Sequence, residues 1–368
     1  MKKNNRILIV LEDTGRGGAE TQALNLCTGL KQKGYDIHVL SFGAEKGAYW
    51  EDFSNLGVFL YQTGFKSKLL VSDFITLKQG LIKLKYTIKL IQLIRKINPD
   101  VIFPFTYPPN IILANLWQFT KARSCYWNQR DEGRMFKGTA KEIKSLNKVT
   151  GIVSNSLEGA LFLEKFTDKP IKIIHNGVCV PNKQVDYLDS DVIRVVMIAN
   201  LHGYKDHMTL LEAWVNVIKA KGNSQLELLF AGKDGSTSSE VKAFIKRHHL
   251  ENSVKCLGVV PKVHELLLTC NIGVFSSNNE GLPNGILECM AAGLPVVATK
   301  INGSIEALGE NYEFLVEPYN YEHFAQQLLK LINDAALRKQ IGMLNRTRIQ
   351  ENFGIDKMIN QYISLSNC

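Results

Sequence analysis

Two glutamates eight residues apart, Glu280 and Glu288, are separated by the turn-forming sequence Gly-Leu-Pro-Asn-Gly. The preceding IGVFSS predicts a buried strand. A helix is predicted to start at the turn and to end near Ala292, where Gly293 provides a C-cap. On this prediction Glu280 lies in the loop and Glu288 lies on the second turn of the helix.

This arrangement suits a ligand that carries both hydroxyl and phosphate groups. Glycines at 281 and 285 let a ligand approach the backbone, and the amides of a helix N-terminus favour an anion. A loop carboxylate can accept hydrogen bonds from a sugar, and a helix carboxylate can bind a ribose diol. The alternative is a polar turn followed by a solvated glutamate. The small-residue sequence AAGLPVVA after the helix favours the ligand site.

The elements around these residues are short apolar runs that alternate with helical patterns, which is typical of βαβ units and parallel sheets. In the first half, a helix is predicted for about Ala19–Lys33 and strands for RILIVL, DIHVLSF, DVIFPF and GIVSN. In the second half, strands are predicted for VIRVVMIAN, LELLFAG, VKCLG, IGVFSS, PVVAT and FLVEP. The predicted fold class is therefore α/β, with two doubly wound parallel sheets.

A chain of 368 residues is longer than one hydrophobic core usually organises, which favours two domains. The aperiodic sequence HNGVCVPNKQVDYLDSD marks the predicted boundary, with domains over 1–178 and 179–350. Parallel sheets bind ligands at the carboxyl ends of their strands. Two facing sheets would therefore offer one site with two halves.

Composition restricts the class of protein. The values of 45% hydrophobic and 21% charged residues are ordinary for a soluble α/β protein. The seven cysteines have no C-x-x-C spacing, which argues against a disulfide framework or a zinc site and favours a reducing cytosol. The first apolar run stops at Glu12 and Asp13, too early for a signal peptide or a membrane span.

Several ordered motifs make the chain resemble a known family. EGLPNGILECMAAGLPVVAT resembles the E-x7-E signature of retaining glycosyltransferases of family 4, and the resemblance extends to GRGGAE, IIHNGV, IANLHGYKDHMTLLEAW and LGVV. It implies the GT-B fold of two facing Rossmann-like domains, with a final helix over 351–368 that crosses back to the first domain. It also implies sugar transfer from a nucleotide-diphosphate donor with retention of the anomeric configuration.

The resemblance assigns donor contacts residue by residue. In that family the first glutamate and the loop after it hold the donor sugar, and the second glutamate binds the ribose. The matching sugar-binding residues here are Glu280, Gly281, Leu282, Pro283 and Asn284, and the matching ribose ligand is Glu288.

A lysine and an arginine after the first strand of the second domain neutralise the donor diphosphate in that family. Lys205 matches the lysine, whereas Asn200 stands where an arginine is common, so phosphate charge must be matched elsewhere. Base contacts are expected near Gly232 and Val260, the last residues of LFAG and LGVV.

The loop GRGGAE superficially resembles a dinucleotide-binding fingerprint. A G-x-G-x-x-G pattern that starts at Gly15 requires glycine at position 20, which is Glu20 here, so an oxidoreductase loses its main support. In the family this loop faces the cleft, and Gly17 and Gly18 are candidates to contact the diphosphate or the acceptor. Glu20 is equally well explained as a helix N-terminal charge.

Many members of the family have a histidine after a strand of the first domain, near the bond that is broken. The corresponding segment here is CYWNQRDEGR, which has no histidine. Arg130 is a candidate to take over part of that role or to supply the missing phosphate contact, because a guanidinium binds phosphate in a bidentate manner. The alternative is a salt bridge with Asp131 or Glu132. His38 and His175 are interpreted as structural.

The sequence DSD at 189–191 resembles the metal-binding D-x-D of other glycosyltransferases. It precedes a predicted strand, whereas the metal-binding motif ends one. It is therefore interpreted as linker, and no metal cofactor is expected.

The net charge of +9 is concentrated in the first half, where residues 1–178 carry +11 against −2 for residues 179–368. Between Lys66 and Lys96 there are eight basic residues and one acid, Asp73. Two sets in this segment follow helical spacing, an apolar set of Leu77, Leu81, Leu84, Ile88 and Ile91, and a basic set of Lys78, Lys85, Lys89 and Lys96. One interpretation is a core-packed helix with a solvated basic face, and the other is attraction to an anionic membrane surface. No nucleic-acid recognition motif is present, so no nucleic-acid partner is expected.

Together these features predict a metal-independent, retaining hexosyltransferase of bacterial polysaccharide biosynthesis. Its donor would be a nucleotide sugar, with UDP favoured over GDP, and its acceptor a lipid-linked or growing glycan. The expected location is cytoplasmic, peripheral on the inner face of the plasma membrane. Two alternatives stay open: a sugar-nucleotide epimerase of the same fold, which needs no acceptor, and a non-catalytic nucleotide-sugar-binding scaffold.

Overall fold

A computed structural model describes residues 5–72, 76–183, 185, 192–221 and 225–366. Its contacts divide the chain into two compact units, Met1–Gly177 with Ile355–Cys368, and Val178–Gly354. The DSD sequence at 189–191 lies outside the described residues.

The first unit is built on a seven-stranded parallel sheet in the order β3-β2-β1-β4-β5-β6-β7. Its strands are β1 (Arg6–Leu11), β2 (Asp36–Ser41), β3 (Phe59–Gln62), β4 (Val101–Pro104), β5 (Ser124–Gln129), β6 (Gly151–Ser154) and β7 (Ile171–Ile173). The four strands predicted from apolar runs, β1, β2, β4 and β6, are confirmed. Strands β3, β5 and β7 were not predicted, because they are short or rich in polar residues.

Helices cover this first sheet. They are α1 (Gly18–Gln32), α2 (Trp50–Asn55), α3 (Ser67–Val71), α4 (Leu77–Ile97), α5 (Tyr107–Leu116), α6 (Ala140–Leu146) and α7 (Leu157–Glu164), with a 3-10 turn at Trp117–Phe119. Helix α1 lies within one residue of the predicted Ala19–Lys33. Its helical spacing predicts Ala19, Ala23, Leu26 and Leu30 in the core, and the last three are buried, whereas Ala19 is half-buried.

The interpretation of α4 as a helix packed in the core through its apolar set is wrong. Four of the five residues expected in the core are exposed, Leu77, Leu81, Leu84 and Ile88, and the fifth, Ile91, is only half-buried. The helix instead buries Leu90, Ile94 and Ile97. Since α4 is apolar on two sides, periodicity alone did not identify the side that packs.

The second unit is built on a six-stranded parallel sheet in the order β10-β9-β8-β11-β12-β13. Its strands are β8 (Ile193–Ile198), β9 (Leu226–Ala231), β10 (Val254–Gly258), β11 (Ile272–Phe275), β12 (Val296–Thr299) and β13 (Leu315–Val316). All six were predicted. The helices are α8 (His207–Lys221), α9 (Ser238–Arg247), α10 (Val263–Leu267), α11 (Asn284–Ala292), α12 (Asn302–Leu308), α13 (Tyr321–Asn333) and α14 (Ala335–Asn352), with a 3-10 turn at Gly203–Lys205.

The C-terminal helix, α15 (Ile355–Ser366), packs on the first unit against α1. A Cβ added at Gly29 of α1 would lie 1.9 Å from Cδ1 of Ile359, so glycine there permits the close contact between the two helices. Tyr362 is buried and packs edge-on against Phe103, with 5.2 Å between the ring centroids.

In each sheet the chain order reverses between two central neighbours, β1 and β4 in the first and β8 and β11 in the second. Ligands of open parallel sheets bind beyond the carboxyl ends of such strands. Ligand-binding residues are therefore expected in the loops that follow these four strands. None of the helices in the described part of the chain combines the length and the hydropathy that a membrane crossing requires.

Candidate active site

Lys205 and Glu280 come together at the carboxyl end of the second sheet. Lys205 ends the 3-10 turn that follows β8, and Glu280 lies in the loop between β11 and α11. Their side chains form a salt bridge and are only 16% and 12% exposed. These two residues are 75 positions apart in the sequence and meet at the point where the strand order reverses.

Hydroxyl groups fix the loops around this pair. The Ser277 hydroxyl donates to the Glu280 carboxylate, and the Ser276 hydroxyl donates to the Lys205 carbonyl, each at 3.2 Å. Thr299, the last residue of β12, donates its hydroxyl to the carbonyl of Ser277. Strands β11 and β12 therefore hold the loops that carry both charges.

The loop between the two glutamates is tightly packed. Gly281, Leu282 and Pro283 are buried, and the half-buried Asn284 starts α11. A Cβ added at Gly303, in the first turn of α12, would lie 2.1 Å from the carbonyl oxygen of Gly281. Glycine at 303 thus lets the start of α12 lie directly against this loop, a contact that the sequence did not predict.

Glu288 lies on the second turn of α11, as predicted, and its side chain is half-buried. Burial raises the pKa of its carboxyl to about 7. Near neutral pH this group is partly protonated, so it can donate as well as accept a hydrogen bond. That property suits a hydroxyl pair such as a ribose diol.

Asn200, which stands where the family commonly has an arginine, makes a structural contact. Its side-chain oxygen accepts a hydrogen bond from the amide of Lys233 at 2.8 Å. A Cβ added at Gly232 would lie 2.0 Å from the carbonyl oxygen of Ala199, so the loops after β8 and β9 are packed backbone to backbone. Val260, two residues beyond β10, is half-buried. Asn200 therefore braces the loops and supplies no positive charge.

The predicted site residues Arg130, Gly17 and Gly18 belong to the first unit. Arg130 follows β5 and is held by neutral groups. It donates to Oδ1 of Asn176 at 2.6 Å and to the Tyr362 hydroxyl at 3.4 Å, and its guanidinium lies 5.1 Å from the ring centroid of Phe105. Burial lowers the pKa of Arg130.

The alternative of a salt bridge from Arg130 to Asp131 or Glu132 is not found among the described residues. Glu132 instead pairs with Arg134 at 2.9 Å, and Asp131 accepts a hydrogen bond from the Gln129 side chain. The guanidinium of Arg130 thus has no carboxylate partner in direct contact.

Among the described residues, three buried polar atoms around Arg130 have no hydrogen-bond partner: Nε of Arg130, Nδ2 of Asn128 and Oδ1 of Asn155. The great majority of buried polar groups in proteins are paired. Asn128 is in β5, and Asn155 directly follows β6, so the cluster lies toward the carboxyl ends of neighbouring strands. This placement favours contact with a polar ligand.

Gly17 and Gly18 form the N-terminus of α1 beyond β1, and Gly18 is exposed. Glu20 folds back over this turn, since a Cβ added at Gly17 would lie 2.3 Å from its carboxylate. Burial, reinforced by the negative charges of Asp13 and Glu12, raises the pKa of Glu20 to about 7, although its carboxylate accepts a hydrogen bond from its own amide. This geometry matches the interpretation of Glu20 as a helix N-terminal charge.

Thr106 was missed by the sequence analysis. It follows β4 at the reversal point of the first sheet and has φ 69° and ψ 169°, a conformation that is nearly restricted to glycine. Its hydroxyl is buried and has no hydrogen-bond partner in the part of the chain that the structure describes. Backbone strain at a β-branched residue is found mainly at functional sites. The abrupt change from the strand DVIFPF to TYPPN was the available signal.

His207, the first residue of α8, was also missed. Both ring nitrogens are buried without a hydrogen-bond partner, and the ring packs edge-on against Phe230 at 5.0 Å. Burial, and to a smaller extent the charge of Lys205, lower the pKa of His207 to about 4. The imidazole is therefore neutral at physiological pH.

Of the two histidines of the first unit, His38 has the surroundings of a structural residue. His38 lies on β2, with Nδ1 3.0 Å from the Tyr61 hydroxyl and Nε2 3.4 Å from the Asp36 carboxylate. His175 is half-buried in the segment that follows β7.

Two family models match the chain. The model described as "Glycosyl transferases group 1" matches residues 173–348, and the model described as "Glycosyltransferase Family 4" matches residues 16–180. The two regions overlap at residues 173–180 and together cover most of both units.

Two curated relatives match nearly the whole chain. An uncharacterized glycosyltransferase of Haemophilus influenzae is 25% identical over 94% of this chain and 95% of its own length. An N-acetylgalactosamine-N,N'-diacetylbacillosaminyl-diphospho-undecaprenol 4-alpha-N-acetylgalactosaminyltransferase of Campylobacter jejuni is 24% identical over 92% of this chain and 93% of its own length.

The fold is similar to that of Anabaena HepE, solved in complex with UDP and glucose. The two structures superpose with a TM-score of 0.80 over 97% of this chain and 98% of that chain, at 18% sequence identity. This likeness identifies the two parallel-sheet units as a GT-B fold. With matches to both family models, the chain belongs to the group 1 glycosyltransferases, family 4, and is a glycosyltransferase.

Proposed function

We propose that the chain is a retaining hexosyltransferase that uses a UDP-sugar and extends a lipid-linked or growing glycan. The observation that carries the proposal is the pairing of Lys205 with Glu280 beside the start of α11, where the strand order of the second sheet reverses. A structural neighbour that contains UDP and glucose supports the donor class. A relative named for a diphospho-undecaprenol-linked saccharide supports the acceptor class.

Donor binding would separate Lys205 from Glu280 and give each of them a new partner on the donor. The Lys205 ammonium would leave Glu280 and contact the diphosphate, while the amides at the start of α11 favour the same anion. The released Glu280 carboxylate would accept hydrogen bonds from the sugar, and residues 281–284 would line the sugar. Glu288 would bind the ribose diol, with base contacts near Gly232 and Val260.

The proposed chemistry is a front-face displacement. The bond between the anomeric carbon and the diphosphate oxygen breaks, and the acceptor oxygen bonds to the same face of that carbon. The acceptor proton passes to the leaving diphosphate oxygen. Glu280 orients the sugar, and Lys205 stabilises the charge that develops on the leaving group. Because Lys205 supplies the cationic charge, we expect turnover in the presence of EDTA.

Residues of the first unit would serve the acceptor or the diphosphate. Arg130 is fixed by Asn176 and Tyr362 and has no carboxylate in contact, so it suits an anion better than a proton transfer. Gly17 and Gly18 would offer backbone amides at the start of α1. A lipid-linked acceptor would place the enzyme at the inner face of the plasma membrane.

The test begins with thermal unfolding of the full chain in the presence of UDP, GDP, ADP and their sugars, with and without EDTA. A ligand that binds the folded state at a hundredfold excess over its Kd stabilises it by about 2.7 kcal/mol. We expect UDP ligands to stabilise the protein selectively, and Glu288→Ala to remove the effect. A shift selective for GDP would overturn the donor assignment.

Product analysis then separates the activities. With a saccharide acceptor, the expected product is a glycoside with the anomeric configuration of the donor, as read by NMR coupling constants. Interconversion of the nucleotide sugar without acceptor would identify an epimerase, and nucleotide binding without turnover of any acceptor tried would favour a scaffold. Inversion at the anomeric carbon would overturn the front-face mechanism.

A further inference from the structure

An exposed apolar stripe runs along α4. It consists of Leu77, Leu81, Leu84 and Ile88, which are 87%, 64%, 57% and 47% exposed. Intervals of four, three and four residues place all of them on one side of the helix. This leucine stripe extends about 16 Å at the rise of an α-helix. Soluble proteins rarely leave so continuous an apolar surface uncovered.

The helix that carries the leucine stripe is well anchored on its other side. Leu90, Ile94 and Ile97 are buried in the core of the first unit. The N-terminus has a capping box formed by Thr76 and Gln79. The stripe is therefore held outward by a helix whose own packing is already satisfied.

Four lysines lie beside the stripe on the adjacent side of α4. This lysine row consists of Lys78, Lys85, Lys89 and Lys96, all exposed. In the part of the chain that the structure describes, none of the four pairs with a carboxylate, and α4 itself contains no acidic residue. An apolar stripe next to a row of cations fits a surface that combines anionic headgroups with hydrocarbon.

The charge pattern argues against a second copy of the chain as the occupant. In a symmetric dimer the same patch meets itself, which would bring the two lysine rows close together without acidic partners. An anionic bilayer has the complementary charge over its whole area. Near the C-terminal end of α4, Arg95 bonds to the carbonyl of Phe119, whose side chain is another exposed apolar group, at 57%.

We propose that α4 is a membrane-docking helix. It would lie in the plane of an anionic lipid bilayer, with the leucine stripe at the boundary between headgroups and acyl chains and the lysine row against lipid phosphates. This proposal does not depend on the donor chemistry or on the acceptor. It assigns to the first unit an attachment surface whose residues are not those of the candidate active site.

Co-sedimentation of the full chain with vesicles tests this surface. We compare vesicles of phosphatidylcholine alone with vesicles that also contain phosphatidylglycerol, without nucleotide or acceptor, at low and at high salt. We expect binding to the anionic vesicles, reduced by salt. The double variant Leu81→Gln/Leu84→Gln should lose binding at both salt concentrations. In Lys85→Gln/Lys89→Gln we expect a loss of about fivefold for each lysine at low salt.

The matched control is Met343→Gln/Leu344→Gln, which removes two exposed apolar side chains from α14 in the other unit. All variants replace surface residues, so their melting temperatures should equal that of the original protein. Failure of the original protein to bind anionic vesicles would overturn the proposal, and so would full binding by Leu81→Gln/Leu84→Gln. A dimer in size-exclusion chromatography that this variant dissociates would instead identify a second copy as the occupant and overturn the proposal.

Discussion

The candidate residues of the two units differ in how their cations are balanced. Lys205 in the second unit is paired with Glu280, so its charge becomes available only when the carboxylate exchanges partners. Arg130 in the first unit donates to two neutral groups, Asn176 and Tyr362, and its Nε has no hydrogen-bond partner among the described residues. Burial lowers the pKa of Arg130 and the charge of Glu20 acts on it at a distance in the opposite direction, but no ion pair between the two is found among the described residues. A buried cation that lacks a carboxylate in direct contact is costly and favours an anionic ligand. On the proposed mechanism, the second unit exchanges the partner of its cation, and the first holds a fixed charge.

The largest effect on kcat should come from breaking the ion pair between Lys205 and Glu280. In Glu280→Gln the shape of the side chain is kept, but the carboxylate that orients the sugar and balances Lys205 is lost. We expect kcat to fall by about 100-fold, the order of loss that follows misplacement of a reacting group. The measurement is steady-state release of UDP with a saccharide acceptor.

Glu317→Gln is the matched control, because it removes an exposed glutamate that pairs with Lys300 in the same unit. It should leave kcat unchanged, since exposed ion pairs contribute little. If Glu280→Gln retained the kcat of the original protein, the exchange of partners at this pair would be refuted.

A smaller effect is expected from the fixed charge. Arg130→Met should reduce kcat/KM by about tenfold, the size of one hydrogen bond to a charged group. It should also lower the melting temperature, because Asn176 and Tyr362 lose a partner. Arg130→Lys retains the charge and should recover part of kcat/KM if an anion is the ligand. The recovery is only partial because lysine lacks the planar guanidinium that binds an anion through two hydrogen bonds.

Arg123→Met provides the comparison for Arg130. Arg123 is a 57% exposed arginine of the same unit that pairs with Asp100 at 3.2 Å. Its loss should change neither kcat/KM nor the melting temperature by a measurable amount. Equal kcat/KM for Arg130→Met and Arg123→Met would assign Arg130 a purely structural role.

The strands with continuous apolar character were predictable, and β5 shows why others were not. Its sequence SCYWNQ is polar, yet every residue is buried. Asn128 is tolerated there because the Asn110 side chain bonds to its backbone and the Tyr362 hydroxyl donates to its side-chain oxygen. Those partners are 18 and 234 residues away, so only the tertiary structure explains the strand.

The candidate site was predictable where one short segment carries it. The positions of Glu280 and Glu288 follow from a strand, a turn and a helix that are contiguous. The contact of Lys205 with Glu280, the brace formed by Asn200 and the strained backbone of Thr106 each depend on a distant element. The local sequence pattern therefore predicted the positions of Glu280 and Glu288 but not the contact between Glu280 and Lys205.

The smallest predicted effect is a pH dependence of stability, to which Glu288 in the second unit and Glu20 in the first both contribute. Burial raises the pKa of Glu288 and of Glu20 from 4.5 to about 7. An acid whose pKa is higher in the folded state contributes stability that is complete below about pH 4.5 and is lost as pH rises toward 7. Glu288→Gln and Glu20→Gln should each reduce the fall in melting temperature between about pH 5 and pH 8.

Only the titration of Glu288 should change the affinity for the nucleotide. An ionised Glu288 accepts a stronger hydrogen bond from a ribose hydroxyl than a protonated one does, so UDP affinity should rise a few-fold through about pH 7. Glu288→Gln should remove that rise when UDP binding is measured by calorimetry, whereas Glu20→Gln, which lies at the start of α1 in the first unit, should keep it. Loss of the rise in Glu20→Gln would place the pH dependence of donor binding in the first unit, and the division between an exchanging donor site and a fixed-charge site would then fail.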